Sequence, residues 1–174
     1  ISVTTRPPRV GEVDEVNYFF RSEEEFDRML EEDLLLESAT FVGYRYGTPK
    51  SFVHEQIQAG NAVIMDIDIQ GAAQIREKMP EAVFVFLLPP TPEELSRRLK
   101  LRGSDSDEVI KRRLAKSYEE IKHIVDYDYY IVNDDLARAA EQLRQIIMSE
   151  WLRVSRIDMK RLQGLWEGGS SVEV

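Results

Sequence analysis

Ala62-Val-Ile-Met-Asp66-Ile-Asp68-Ile-Gln70-Gly71 is an almost unbroken apolar run that ends in two carboxylates. It is too short to span a bilayer and has the composition of a strand covered on both faces, as in a parallel α/β sheet. Side chains two apart on a strand point the same way, so Asp66 and Asp68 are expected to leave its carboxyl end side by side. Ligands of open parallel sheets bind just outside those ends. For a lone pair of aspartates, solvated loop acids are the plainer reading, and the flanking sequence decides between the two.

A chain of 174 residues is one domain's worth, with room for a small inserted subdomain. Its 43% apolar and 32% charged residues are an ordinary globular composition. A formal net charge of −9 argues against a nucleic-acid partner, since phosphate would repel it. The absence of cysteine excludes thiol catalysis, zinc–thiolate sites and disulfides. No stretch approaches the ~20 apolar residues that span a bilayer and no leader pattern opens the chain, so no membrane partner is expected and the cytoplasm is the default location. The chain opens at Ile1 directly in β-like sequence, which suggests a segment upstream.

Upstream of the anchor run, Thr48 is expected to cap a helix with Pro49 at its first position, the helix stopping at Gly60. Residues 1–4 read as the tail of a strand. In the loop after it, Pro7 and Pro8 forbid helix and stiffen the backbone between Arg6 and Arg9. A turn at Gly11-Glu12 precedes a short strand over 16–20. Ser22 and Glu25 then form a capping box for a helix carrying Phe26, Met29 and Leu30. Residues 34–41 and 44–46, joined around Gly43, read as a small antiparallel insert.

Downstream, Gly71 leads into a helix over 72–78, and 82–88 is a second buried strand closed by Pro89-Pro90. Thr91, Pro92 and Glu94 start a helix to about Arg102, a charged helix covers 107–124, and 129–132 is a third strand. Leu136, Ala140, Leu143, Ile147 and Trp151 recur every three or four residues on a long helix. Strand and helix thus alternate from Ala62 to Trp151, which means right-handed βαβ units. Val154, Met159, Leu162 and Trp166 are expected to continue that helix and to pack on the body or on a second subunit, which leaves a homo-oligomer open. A polar, disordered tail is expected at the end.

Three groups of residues could carry chemistry. Ser2, Arg6, Arg9 and Tyr18 place two guanidinium groups and two hydroxyls around a stiff loop, which suits a phosphate dianion; surface arginines on a turn are an equal alternative. Glu37, Tyr46, Gly47 and Thr48 form the second group. A carboxylate accepts from two adjacent N–H groups, as guanine's N1 and N2 provide, and a threonine hydroxyl can serve a ring carbonyl, although a Glu in a small insert is usually just solvated. The third group is Arg98, Arg102 and Arg113, flanking Gly103-Ser104-Asp105-Ser106. Arginines converging from two helices suit a transferring phosphoryl group, unless Glu93, Glu94, Asp105, Asp107 and Glu108 pair them off. His54 and His123 read as structural or surface residues, without metal-ligand spacing.

In order along the chain stand Ser2-Val-Thr-Thr-Arg6-Pro-Pro-Arg9, Asn17-Tyr18-Phe-Phe, Tyr46-Gly47-Thr48, Asp66-Ile-Asp68-Ile-Gln70-Gly71, the Arg98/Arg102/Gly103 cluster and Ile131-Val-Asn133-Asp134-Asp135. Together they closely resemble guanylate kinase, to about Trp151. The resemblance implies a P-loop-kinase-like three-layer α/β fold with a parallel sheet, a small mixed α+β GMP-binding insert over about 6–48 and a helical lid over about 98–113. The core would be 1–5, 49–97 and 114–166, with a tail over 167–174. It implies transfer of the ATP γ-phosphoryl group to GMP, or dGMP, with Mg²⁺ accompanying ATP.

By the same resemblance, Ser2, Arg6, Arg9, Tyr18 and Tyr46 match ligands of the GMP phosphate, and Glu37, Thr48 and Asp68 match residues that recognise guanine. Asp66 matches a carboxylate near the phosphates that meets Mg²⁺ through water, with no direct metal ligand. Arg98, Arg102 and Arg113 match arginines that clamp ATP and the transferring group, and Asn133 matches a position beside adenine. A non-catalytic guanylate-kinase-like interaction domain is the alternative. The family begins with a strand and a G-x-x-x-x-G-K-[S/T] loop, and this sequence has none; Gly43 to Lys50 has the wrong spacing. The expectation is therefore that an N-terminal segment was lost or left out, and that the chain as written binds GMP better than it phosphorylates it.

Overall fold

The computed structural model describes residues 1–41, 43–101, 106–157 and 159–168. Its contacts divide the chain into two compact units, Ile1–Phe84 with Lys116–Asp128, and Val85–Ala115 with Tyr129–Val174.

The first unit is built on a four-stranded sheet. Strand β1 (Val3–Thr4) lies between β2 (Phe19–Phe20), parallel to it, and β4 (Tyr44–Pro49), antiparallel to it; β4 pairs in turn with β3 (Leu35–Phe41). The expected hairpin is thus present, with Phe41 opposite Tyr44. Helix α1 (Glu23–Glu31) has the capping box read from the sequence: Glu25 N–H donates to Ser22 Oγ at 3.1 Å and Ser22 N–H to Glu25 Oε2 at 2.8 Å. Adjacent residues on a strand face opposite ways, so Leu35 joins Val3 and Phe26 on one side of the sheet. Leu36 joins Val53, Ala72, Ile75, Met79 and Phe84 on the other, where α2 (Lys50–Gln58) and α3 (Ile69–Lys78) supply their apolar sides. Gly47 in β4 has no room for a side chain. A Cβ there would lie 2.8 Å from Leu35 Cδ1, 3.0 Å from the Glu37 carbonyl oxygen and 3.3 Å from the Phe26 ring.

Two expectations change in this unit. The run at 62–69 joins no sheet among the described residues, and α3 already begins at Ile69. Its side chains still alternate: Val63, Met65 and Ile67 pack on the core, whereas Ile64 is 66% exposed. An apolar run specifies side chains to be buried, but a ladder needs a partner edge, which composition does not specify. Thr48 is also not a helix cap. Strand β4 runs through to Pro49, whose extended backbone precedes α2 without a side-chain cap, because the Thr48 hydroxyl is engaged elsewhere.

In the second unit β5 (Val85–Leu88) and β6 (Tyr129–Val132) pair in parallel, with α4 (Pro92–Leu101), α6 (Leu136–Trp151) and the first part of α5 (Asp107–Glu120). Thr91 Oγ1 accepts from Glu94 N–H at 3.1 Å and Asp135 Oδ1 from Arg138 N–H at 2.9 Å, so both helix starts are satisfied. Strand β5 is shorter than the expected 82–88, and α5 gives way to a 3₁₀ turn at Ile121–Asp126. The long helix does not continue past Trp151. Glu150, 6% exposed, accepts from the Tyr129 hydroxyl at 2.7 Å and meets Arg153 at 3.4 Å and Arg156 at 3.3 Å. Drawing both arginines back to one carboxylate turns the chain through a 3₁₀ turn at Val154–Arg156 into a separate α7 (Met159–Gly168). Residues 169–174 of the expected tail lie outside the described residues. No described helix is long and apolar enough to cross a membrane.

Candidate functional site

The proline-stiffened loop begins where β1 ends. Arg6 N–H donates to Thr4 Oγ1 at 3.1 Å, which fixes the direction in which the chain leaves the sheet. The Arg6 side chain then lies over the rings of Tyr18, at 5.4 Å, and Phe20, at 5.8 Å, with the residue only 9% exposed. Tyr18 meets Tyr46 edge-on at 6.3 Å. The structure therefore gathers Arg6, Tyr18 and Tyr46 into one cluster. Ser2 stands beside it, its carbonyl accepting from Phe19 N–H at 2.9 Å, and Arg9 is exposed at its rim.

Glu12, which the sequence marks only as part of a turn, belongs to this cluster. Both its oxygens lie 2.9 Å from one terminal nitrogen of Arg6, and Oε2 accepts from Arg9 N–H at 2.7 Å. That backbone bond holds the Glu12 carboxyl below its ordinary range against desolvation, with Arg6 adding to the effect. No residue pattern announces the contact, because it depends on the fold of the turn between Arg9 and Glu12.

Glu37 and Thr48 sit opposite each other in the β3–β4 register. The Thr48 hydroxyl donates to Glu37 Oε1 at 2.7 Å, and the residues are 6% and 7% exposed. Burial pushes the Glu37 carboxyl up; the Thr48 bond opposes this, and the nearby Asp68 charge adds to it. The start of α3 approaches the same carboxylate, since a Cβ on Gly71 would lie 3.4 Å from Glu37 Oε2. Asp68 caps that helix: its Oδ1 accepts from Gln70 and Gly71 N–H, each at 3.1 Å. Its Oδ2 is left with Lys116 Nζ at 3.8 Å, a long contact at exposed groups. Asp66 lies on the same exposed side of the alternating segment as Asp68, as the spacing predicts. No sequence pattern announces the role of Gln74 either. Its amide accepts from Ser38 N–H and donates to Ser38 O, both at 3.0 Å, and so ties the strand bearing Glu37 to α3.

The arginines of the third group belong to α4 and α5. Arg98 Nε donates to Glu94 Oε1 at 2.7 Å, and Arg97 binds the same carboxylate through Nε and a terminal nitrogen, both at 2.7 Å. Arg97, then Arg98, hold Glu94 down at about 2. Arg98 is thus paired off, as the plainer reading allowed. Arg113 is half-buried in α5, Arg102 lies outside the described residues with 103–105, and Asn133 follows β6 with its N–H donating to Leu88 O at 2.7 Å.

The fold is shared with a crystal structure of guanylate kinase from Anaplasma phagocytophilum, which superposes with a TM-score of 0.75 at 32% identity, over 98% of this chain and 85% of that one. It is the α/β kinase fold that the resemblance implied. The family profile described as guanylate kinase matches residues 1–150. The guanylate kinase of Caldanaerobacter subterraneus subsp. tengcongensis is 53% identical over 90% of this chain and 76% of its own length. That of Desulfitobacterium hafniense is 48% identical over 90% and 78%. The chain belongs to the guanylate kinase family.

Proposed function

We propose that the chain holds GMP in its first unit and carries out the family's reaction, transfer of the ATP γ-phosphoryl group to that acceptor to give GDP and ADP. The buried Glu37–Thr48 pair carries this reading, because a carboxylate almost sealed from water needs a ligand with matching donors. Guanine presents N1–H and N2–H to such a group; adenine and uracil do not present that donor pair. Thr48 serves the base beside Glu37, and Asp68 offers Oδ2 to it while Oδ1 caps α3.

Arg6, Arg9, Ser2, Tyr18 and Tyr46 bind the phosphate. Guanidinium groups stay charged at any working pH and give a dianion directional donors. Arg98, Arg102 and Arg113 serve ATP and the charge that develops during transfer, with Asn133 near the adenine. Arg98 must leave Glu94, or share it, to do so. The exposed Asp66 carboxylate, a hard oxygen donor, would help hold an Mg²⁺ ion accompanying ATP, which would neutralise charge on the phosphates. No side chain forms a covalent intermediate in this scheme: positioning, charge and exclusion of water supply the rate. Residues 6–48 act as the GMP subdomain, 98–113 as the lid and 1–5, 49–97 and 114–166 as the core. The substrates are those of the cytoplasm, where we place the protein.

The test is a coupled ADP-release assay with GMP, dGMP, AMP and UMP, run on this chain and on the same chain preceded by a strand and a G-x-x-x-x-G-K-[S/T] loop. Turnover with GMP and dGMP is expected. Preference for AMP or UMP would overturn the guanine assignment, and no turnover with any acceptor in either protein would favour an interaction domain.

A further inference from the structure

We infer that Glu12 is a positioning residue for phosphate binding: its carboxylate joins the Arg6 side chain and the Arg9 backbone into one clamp. The inference rests on the proposed phosphate role of Arg6 and Arg9. A guanidinium as buried as that of Arg6 needs a counter-charge, and Glu12 supplies it through both oxygens at 2.9 Å. The same carboxylate is bound by Arg9 N–H at 2.7 Å, so a single group fixes both halves of the clamp.

Local backbone geometry brings Glu12 there. Glu12 N–H donates to Arg9 O at 3.0 Å, closing a four-residue turn, and Gly11 occupies its third position with φ +88°, a conformation that glycine adopts without strain. With Pro7 and Pro8 stiffening the other side, the loop is held at both ends. An arginine side chain has many rotamers, and one already held by a carboxylate, two aromatic rings and the Pro7 carbonyl, at 2.8 Å, loses little freedom when an anion arrives. Glu12 does this without touching the substrate; a carboxylate against a phosphate would repel it.

Calorimetric titration with GMP and with guanosine separates this role from others, on the full chain and on the variants Glu12→Gln, Glu12→Asp, Arg6→Ala and Arg6→Ala/Glu12→Gln. Glu12→Gln should weaken GMP about tenfold, leave guanosine unchanged and add nothing in the Arg6→Ala background. Glu12→Asp, which keeps the charge but reaches less far, should recover part of the loss. Unchanged or tighter GMP binding in Glu12→Gln, while Arg6→Ala weakens it, overturns the inference; tighter binding would make Glu12 a counter-ion that phosphate displaces. Equal loss of GMP and guanosine also overturns it, as a general disturbance of the fold. Full GMP affinity in Arg6→Ala instead overturns the phosphate assignment itself.

Discussion

The Thr48 hydroxyl donates to Glu37 Oε1 at 2.7 Å across two paired strands, with both residues nearly sealed from water. Burial raises the Glu37 carboxyl above the ordinary 4.5, so the folded state holds its proton more tightly than the unfolded one. The stability that Glu37 contributes is therefore complete below that value and is lost as pH rises through the folded pKa. Glu37→Gln, which is neutral at every pH, should match the wild type near pH 4 and melt about 2–4 °C higher at pH 8 in a calorimetric scan. It should also lose about tenfold or more in GMP affinity, since the amide cannot accept from both ring donors. A lower melting temperature at pH 8 would contradict this account.

Asp68 caps α3 and, in the proposed function, also binds guanine; substitution can separate the two. Asn caps helices as well as Asp does, so Asp68→Asn should change stability by less than about 0.5 kcal/mol while weakening GMP. Asp68→Ala should lose the cap as well, about 1 kcal/mol by urea unfolding. If Asp68→Asn bound GMP normally, capping would be its whole role.

Arg6 and Arg9 should differ in kind. Arg6→Ala removes a buried group from two rings and an ion pair, and should lower the melting temperature by about 2–5 °C as well as weaken GMP. The exposed Arg9 should shift melting by about 1 °C or less on truncation, yet still weaken GMP. Neither change should alter ATP binding.

At the other end of the chain, the Tyr129 hydroxyl and then Arg153 and Arg156 hold the Glu150 carboxyl below 4.5. A depressed carboxyl contributes its stability above the unfolded value and loses it as pH falls through the folded one. Glu150→Gln should therefore be less stable than wild type at pH 7, by about 1–2 kcal/mol in urea unfolding, and the gap should close in strong acid. A gap that persisted below pH 3 would assign the effect to packing alone.

What the sequence disclosed follows the range of the interactions. Capping by Ser22 and by Thr91 was legible because each partner is three residues away. The cap expected at Thr48 failed because a carboxylate eleven residues distant claimed the hydroxyl, and only the hairpin register brings the two together. The alternation of 62–68 was legible as periodic burial, but its pairing was not, since ladder partners are tertiary facts. Gln74 stayed hidden for the same reason, since it depends on the approach of α3 to β3, whereas the Glu12 contact is local and stayed hidden because it turns on the φ of Gly11, which no capping pattern specifies. The candidate ligands themselves, from Arg6 to Asp68, are legible as an ordered set of motifs, because a resemblance rests on residue order and not on contacts.

Gly47 sets a boundary for anyone wishing to change which base the proposed guanine site accepts. It lies between Tyr46 and Thr48, and a Cβ there would collide with Leu35 and the Glu37 backbone. The hairpin therefore cannot be reshaped at that position to suit a larger or differently placed ring. A library that holds Gly47 and varies Glu37, Thr48 and Asp68 explores donors and acceptors on a fixed frame, so new acceptors should come from altered polarity and not from a wider slot.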